Sequence, residues 1–364
     1  MPKGFIYFLI VAQGILTAVH LVIYELAVLF FPILQSHRSA LLVALMVLSF
    51  SFLGFLILTH FYDHFLLNWG NILASVWMVL GMYFLFASAI ALMAYLIFNN
   101  SLNRLGDLTL IVSLLLTVYG LINARIVRLT EITVRLPNLP AFWQGKTAIM
   151  VSDLHLGQVL GTGFAKKIVG MINKENPEIV FIPGDFFDGT KEDFTRLANE
   201  FKTISAPLGT YFCSGNHELF AGYQKCENSL KAAGVKILEN QKVEVEGLQI
   251  AGVAYKAETM ADLPLTLKNL QIDYNKPSIL LKHVPSQVKE VSEADISLML
   301  CGHSHHGQIW PGRHITKAVF KGFDYGLKAL GNLQVFTSSG AGTWGPPMRV
   351  FTKAEIVKIK FESS

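Results

Sequence analysis

The chain has 364 residues, of which 52% are hydrophobic and 15% charged, with a mean hydropathy of +0.44 and a formal net charge of +4. A soluble protein carries about 25% charged residues, so a chain wholly solvated by water is excluded and part of it is expected to face lipid. The mild charge, without a basic block or an aromatic–basic stripe, argues against a nucleic-acid partner.

The apolar excess lies in residues 1–124. Four segments reach the roughly 20 apolar residues that cross a bilayer: Phe5–Phe30, Ala40–Thr59, Ile72–Phe98 and Leu108–Ala124. They predict an all-α transmembrane bundle over residues 1–128, with both its ends on one side. On that side stand Lys3, Arg125, Arg128 and Arg135, while the opposite loops hold Arg38 and Arg104. By the excess of positive charge, the domain that follows is expected in the cytoplasm. His20 and Glu25 are ionisable groups in the first span, by default a functional signal. A helix–helix hydrogen bond or a place near the interface explains them as well, and both are left out of the site.

Residues 129–364 read as one α/β domain. Ile132–Leu136, followed by Pro137 and Pro140, suits a first edge strand. Lys146–Val151 ends in Ser152-Asp153-Leu154-His155, and a helical pattern spans Phe164–Asn173. Ile179–Ile182 ends in Pro183-Gly184-Asp185, and a helix is expected over Glu192–Thr203. Gly209–Cys213 ends in Gly215-Asn216-His217-Glu218. Ile279–Leu281 runs into His283, and Ile296–Leu300 into Gly302-His303-Ser304-His305. Hairpin-like runs at Val243–Val253, Leu333–Phe336 and Glu355–Phe361 add antiparallel parts. Cys213, Cys226 and Cys301 form no CxxC pair, and Cys213 and Cys301, which end apolar runs, read as buried reduced thiols.

Polar residues recur just past the carboxyl ends of strands, where open α/β sheets gather ligands. A lone DxH or GD is more often structural. Five such clusters together supply two aspartates, one asparagine and four histidines, and burying these without a cation costs several kcal/mol each. The mixed carboxylate, amide and imidazole set suits Mn, Fe or Zn. In Asp153-x-His155 and His303-x-His305, alternate residues of an extended stretch point the same way, so two ligands can serve one centre. Gly184, Gly215 and Gly302 allow the sharp turns.

The ordered series DLHLG, GDFFD, GNHE, KHVP and GHSHHGQ resembles the calcineurin-like metallophosphoesterase superfamily over about residues 130–361. The stretch SSGAGTWGPPMRV and an Ile/Val-rich closing strand resemble its bacterial membrane-associated branch. The resemblance implies a layered β-sandwich flanked by helices. It also implies two divalent metal ions, Mn first, with Fe or Zn as alternatives. Asp153, His155 and His305 would bind one, Asn216, His283 and His303 the other, and Asp185 would bridge them. His217 matches the family histidine that assists at the phosphate without ligating. His306 stands where the branch often has glycine; it would line the phosphate pocket or face solvent. Asp188 and Glu218 would orient ligands from behind, or serve as turn and cap residues. Arg349 and Lys321 are candidate phosphate contacts set against plain surface charge.

Such a centre hydrolyses phosphodiester or pyrophosphate bonds. No Walker loop or cysteine phosphatase loop competes with it. Similar membrane-associated relatives cleave UDP-2,3-diacylglucosamine, a lipid A precursor, to a lipid monophosphate and UMP. The expectation is therefore a multi-pass protein of the bacterial inner membrane acting on an amphiphilic phosphoester. Phe142, Trp143, Val319, Phe320, Phe323 and Tyr325 would guide acyl chains or simply pack the core. Two other readings stand beside this one. One is a general membrane-tethered phosphodiesterase for nucleotide or cell-envelope phosphoesters; the other is a membrane scaffold or transporter with a degenerate metal domain. The oligomeric state is not legible.

Overall fold

The computed structural model describes residues 3–62, 64–99, 101–256 and 263–364. The chain forms two compact units. The first comprises Met1–Ile122 with Gly345–Val350, and the second Asn123–Trp344 with Phe351–Ser364.

The first unit is helical: α1 (Lys3–Phe30), α2 (Arg38–Phe61), α3 (Phe65–Phe98) and α4 (Leu102–Ala124). All four are long and apolar enough to cross a membrane. Ile10, Val43, Val47, Ile90, Leu96 and Leu115 are exposed, while a small seam of Ile23, Phe30, Leu45, Phe84 and Ala91 is packed. Helices apolar around most of their circumference need lipid as solvent on the outer faces, and they satisfy their own backbone groups inside it. α3 and α4 begin before the apolar stretches that announce them. Arg38 opens α2 and Arg104 lies in the first turn of α4, so neither sits in a loop as expected. Hydropathy marks the hydrocarbon-facing part of a helix, whereas the helix itself continues into polar surroundings.

The second unit carries two six-stranded sheets. The first runs β1 (Val127–Leu136), β12 (Ala354–Ser363), β2 (Thr147–Met150), β3 (Ile179–Pro183), β4 (Thr210–Cys213), β5 (Lys236–Ile237). The second runs β10 (Gly326–Leu330), β11 (Leu333–Thr337), β9 (Leu298–Cys301), β8 (Ser278–Leu281), β7 (Leu248–Gly252), β6 (Gln241–Val245). Strand periodicity of two explains the layering. Met150, Phe181 and Tyr211 turn inward to meet Ile250, Ile279, Leu281 and Leu300 of the other sheet. Ile149, Val180 and Phe212 turn outward under α5 (Thr162–Lys174) and α8 (Tyr223–Ala232). Leu280, Met299 and Val335 do the same on the far face, under α9 (Leu263–Asn269) and α10 (Val288–Glu293). With both faces covered, the central strands read as unbroken apolar runs.

This is the expected layered β-sandwich flanked by helices. β1 is an edge strand, as its prolines suggest, but it starts five residues earlier than expected. The helix expected over 192–203 is two pieces, α6 (Phe194–Ala198) and a 3-10 turn, Asn199–Thr203. The three cysteines are buried, and none is in a disulfide.

Candidate metal centre

β2, β3 and β4 are mutually parallel, as are β8 and β9, so their carboxyl ends open at one edge of the sandwich. Asp153 and His155 follow β2, Asp185 follows β3, and Asn216 opens α7 (Asn216–Ala221) after β4. His283 follows β8, and His303 and His305 follow β9. Their donor atoms form two groups, each within 4.8 Å: Asp153, His155 and His305 in one, Asp185, His283 and His303 in the other. Asp185 Oδ2 lies 3.8 Å from His155 Nε2 and 3.0 Å from His283 Nε2, so one carboxylate faces both groups. Asn216 Oδ1 is 3.0 Å from His303 Nδ1, which places it with the second group. All seven expected residues meet.

The way they meet differs from expectation. Asp153, His155, Asp185, His303 and His305 all have positive φ, between 47° and 67°. These are left-handed residues, not an extended stretch, and each costs a non-glycine residue about 1–2 kcal/mol. His303 and His305 consequently point to different groups. Glycine is needed at Gly184, where φ is +85° and a Cβ would strike His283, and at Gly302, where it would strike Ser152 and Asp153.

The donors fit divalent cations. His283 Nδ1 donates to Pro183 O at 2.9 Å, leaving Nε2 as a lone pair. That lone pair faces Asp185 Oδ2 at 3.0 Å and His303 Nδ1 at 3.2 Å. His155 and His305 bring their Nε2 atoms to 3.0 Å, and Asp153 Oδ1 lies 3.5 Å from His305 Nε2. Lone pairs converging on carboxylates in a buried pocket are repulsive unless a cation lies among them. The backbone carbonyl behind His283 fixes its tautomer as ligand histidines require.

Among the protein's own groups, burial lowers His155 to about 4 and His303 to about 3, in each case against the pull of Asp185. Both rings are then neutral at pH 7, the form that ligates. Burial pushes Asp153 up to about 6, with His283 opposing. Burial would raise Asp185 too, but the imidazoles of His283, His155 and His217 hold it below the ordinary carboxylate range.

Glu218 is buried and accepts backbone N–H bonds from Asp185 (3.0 Å), Phe186 (2.8 Å), Phe187 (3.2 Å) and Gly215 (2.8 Å). It fastens the loop after β3 to the loop after β4, and so orients ligands as well as capping a helix. His217 sits beside the first group, its ring centroid 4.5 Å from that of His155. Its Nδ1 lies 3.1 Å from Asp188 Oδ1.

The remaining candidates make other contacts. The His306 ring stacks on Tyr325 at 4.2 Å. Arg349 belongs to the helical unit, where its backbone N–H bonds Gly120 O at 2.9 Å. It is fully buried, which removes the surface-charge alternative. Lys321 is exposed. Trp143 is core, donating from Nε1 to Val245 O, whereas Val319 and Phe142 are exposed. Phe323 packs against the core of the second sheet's far face, and Phe320 lies beside His303 at 6.0 Å between ring centroids. His20 accepts from Trp77 Nε1 at 2.9 Å and bonds Leu16 O at 2.8 Å, a closed helix–helix pair. Glu25 is exposed on α1.

Two residues went unread in the sequence. Ser152 hydrogen-bonds Asp153 and Pro183 O. Gln308 clamps Trp344, accepting from its N–H at 2.9 Å and donating to its carbonyl at 2.8 Å. The Gln of GHSHHGQ was the only signal available for the second.

Comparison with known proteins agrees with this geometry. The calcineurin-like phosphoesterase profile matches residues 147–307. An uncharacterized metallophosphoesterase of Campylobacter jejuni is 33% identical over 272 residues, covering 73% of this chain and 72% of that protein. One from Aquifex aeolicus is 31% identical over 259 residues, covering 68% of this chain and 97% of that one. A Danio rerio protein described as a transmembrane protein with metallophosphoesterase domain is 30% identical over 269 residues, 69% of this chain and 61% of the fish protein. The chain belongs to the calcineurin-like metallophosphoesterases, which are metal-dependent phosphoester hydrolases.

Proposed function

We propose that this chain is a dinuclear-metal hydrolase that cleaves a phosphodiester or pyrophosphate bond of an amphiphilic substrate at a membrane. Asp153, His155 and His305 would hold one cation, Asn216, His283 and His303 the second, and Asp185 would span both. Mn²⁺ is the first choice, with Fe or Zn as alternatives. Bound there, a pair of divalent cations supplies an activated water and stabilises charge on the phosphate oxygens.

The proton comes from the protein. Burial alone would lower His217, but its hydrogen bond to Asp188 and the charges of Asp185, Asp188 and Glu218 raise it above the ordinary imidazole value. Burial would raise Asp188, but His217 and His155 hold it below the usual carboxylate range. With Nδ1 engaged by Asp188, Nε2 carries a proton that can pass to the oxygen leaving phosphorus.

The substrate reading rests on one observation: the catalytic cluster shares its chain with four helices apolar enough to span a bilayer. Tethering concentrates the enzyme where amphiphiles are. UDP-2,3-diacylglucosamine is the leading candidate, giving a lipid monophosphate and UMP. On this reading the protein would sit in a bacterial inner membrane with its catalytic unit in the cytoplasm and would take no nucleic-acid partner. Detergent-solubilised protein, stripped and reloaded with Mn²⁺, should release UMP from this lipid in a mass-spectrometric panel of lipid pyrophosphates. Turnover confined to soluble bis(p-nitrophenyl) phosphate would replace the lipid reading with a general phosphodiesterase. A C-terminal reporter active only outside the cytoplasm would reverse the orientation.

A further inference from the structure

The catalytic unit leaves two large aromatic rings in solvent directly beside His217. Phe220 is 70% exposed and Trp344 59% exposed. Their ring centroids stand 5.8 Å and 6.5 Å from that of His217, with interplanar angles of 73° and 80°. Phe220 lies three residues beyond His217 on α7, so the two side chains share a helix face. Trp344 comes from a distant loop, and its exposure is not looseness. The buried side chain of Gln308 bonds both backbone polar groups of Trp344, and Gln308 O accepts from Thr352 Oγ1 at 2.7 Å. An exposed aromatic on a fixed backbone offers contact area at low entropic cost, as binding anchors do.

We infer that Phe220 and Trp344 form an apolar subsite for the departing group of the substrate, shaped for a phosphoester whose leaving oxygen carries an aromatic or alkyl group. The inference rests on the hydrolase reading above and names the side on which the substrate's apolar part sits. When the bond between phosphorus and the leaving oxygen breaks, that oxygen takes the proton from His217. Whatever is attached to the oxygen therefore lies against the rings that flank His217. Gln308 is a positioning residue, since it acts on the subsite through Trp344.

The test is equilibrium binding, which does not depend on turnover. Methyl-, butyl- and phenylphosphonate are titrated calorimetrically into the full-length Mn²⁺-loaded protein in detergent. The native protein should hold the phenyl and butyl compounds at least about tenfold more tightly than the methyl compound. The two larger compounds separate an aromatic preference from a general apolar one. Trp344→Ala and Phe220→Ala should each remove most of the difference and leave methylphosphonate unchanged. Trp344→Phe should restore part of it, and Gln308→Ala should weaken phenyl- and butylphosphonate and leave methylphosphonate unchanged. Methylphosphonate binding without any preference for the larger compounds overturns the subsite while leaving the hydrolase reading intact, as does a variant that weakens all three alike. Failure of every phosphonate to bind removes both.

Discussion

The helical and catalytic units differ in how they hold their buried polar groups. In the helices several buried groups close their hydrogen bonds nearby, although Ser88 Oγ of α3 does not. Ser113 Oγ donates to Thr109 O at 2.7 Å, Thr117 Oγ1 to Ser113 O at 2.8 Å, and His20 is bonded at both ring nitrogens. In the catalytic unit Asp153, His155, Asp185 and His283 turn acceptors towards one another, and buried His155 Nδ1 has no hydrogen-bond partner. The backbone repeats the contrast. Among the described residues of the four helices and their connections, the non-glycine residue with positive φ is Asn99, a helix C-cap, whereas five of the seven residues of the cluster take that conformation. A buried histidine is thus a weak sign of function by itself. Unmet lone pairs held on a costly backbone are a strong one.

The contrast can be broken most severely at Asp185. Asp185→Ala should lose both bound metal and turnover, measured by elemental analysis and phosphodiesterase assay, because it is the carboxylate shared by both groups. His217→Ala should keep its metal and lose about 10²- to 10⁴-fold in kcat, the usual contribution of a positioned proton donor; full activity would remove His217 from the chemistry.

Acid should act next. Asp153 is pushed up to about 6, so below that pH it is protonated and neutral and above it is a ligating carboxylate. Mn²⁺ affinity should therefore rise with pH through about 6 and then flatten, and each pH unit below should cost up to about tenfold per proton displaced. Affinity independent of pH between 5 and 7, on direct titration, would contradict the assignment. Glu218→Ala strands four buried N–H donors and should cost about 3 kcal/mol of stability, read as a lowered Tm of the solubilised protein. The smallest effect belongs to the helices. His20→Leu should cost about 0.6 kcal/mol, typical of one polar contact within a membrane bundle, and leave kcat untouched.

Much of the site was legible because its chemistry is local. Each candidate ligand sits within a few residues of a strand end, and an apolar run stopping at Asp, Asn or His is visible in one dimension. The partition of His303 and His305 came from the family resemblance and not from local pattern, since an extended stretch would have sent both side chains the same way and the left-handed residues there send them apart. α8 was missed because its segment, YQKCENSLKA, is polar and carries only a few inward residues. β10 was missed because GLKAL lies mostly exposed at a sheet edge.

By itself the sequence determined where long apolar helices lie, where many of the strands fall, and which Asp, Asn and His residues stand at the strand ends. These follow from composition and period, properties that a short window contains. Only the tertiary structure decided that Glu218 staples two loops, that Asp185 faces both donor groups, and that Gln308 and Trp344 meet from 36 residues apart. Such contacts arise when strands distant in the chain are packed side by side, and their direction is set by backbone turns that residue type alone does not encode.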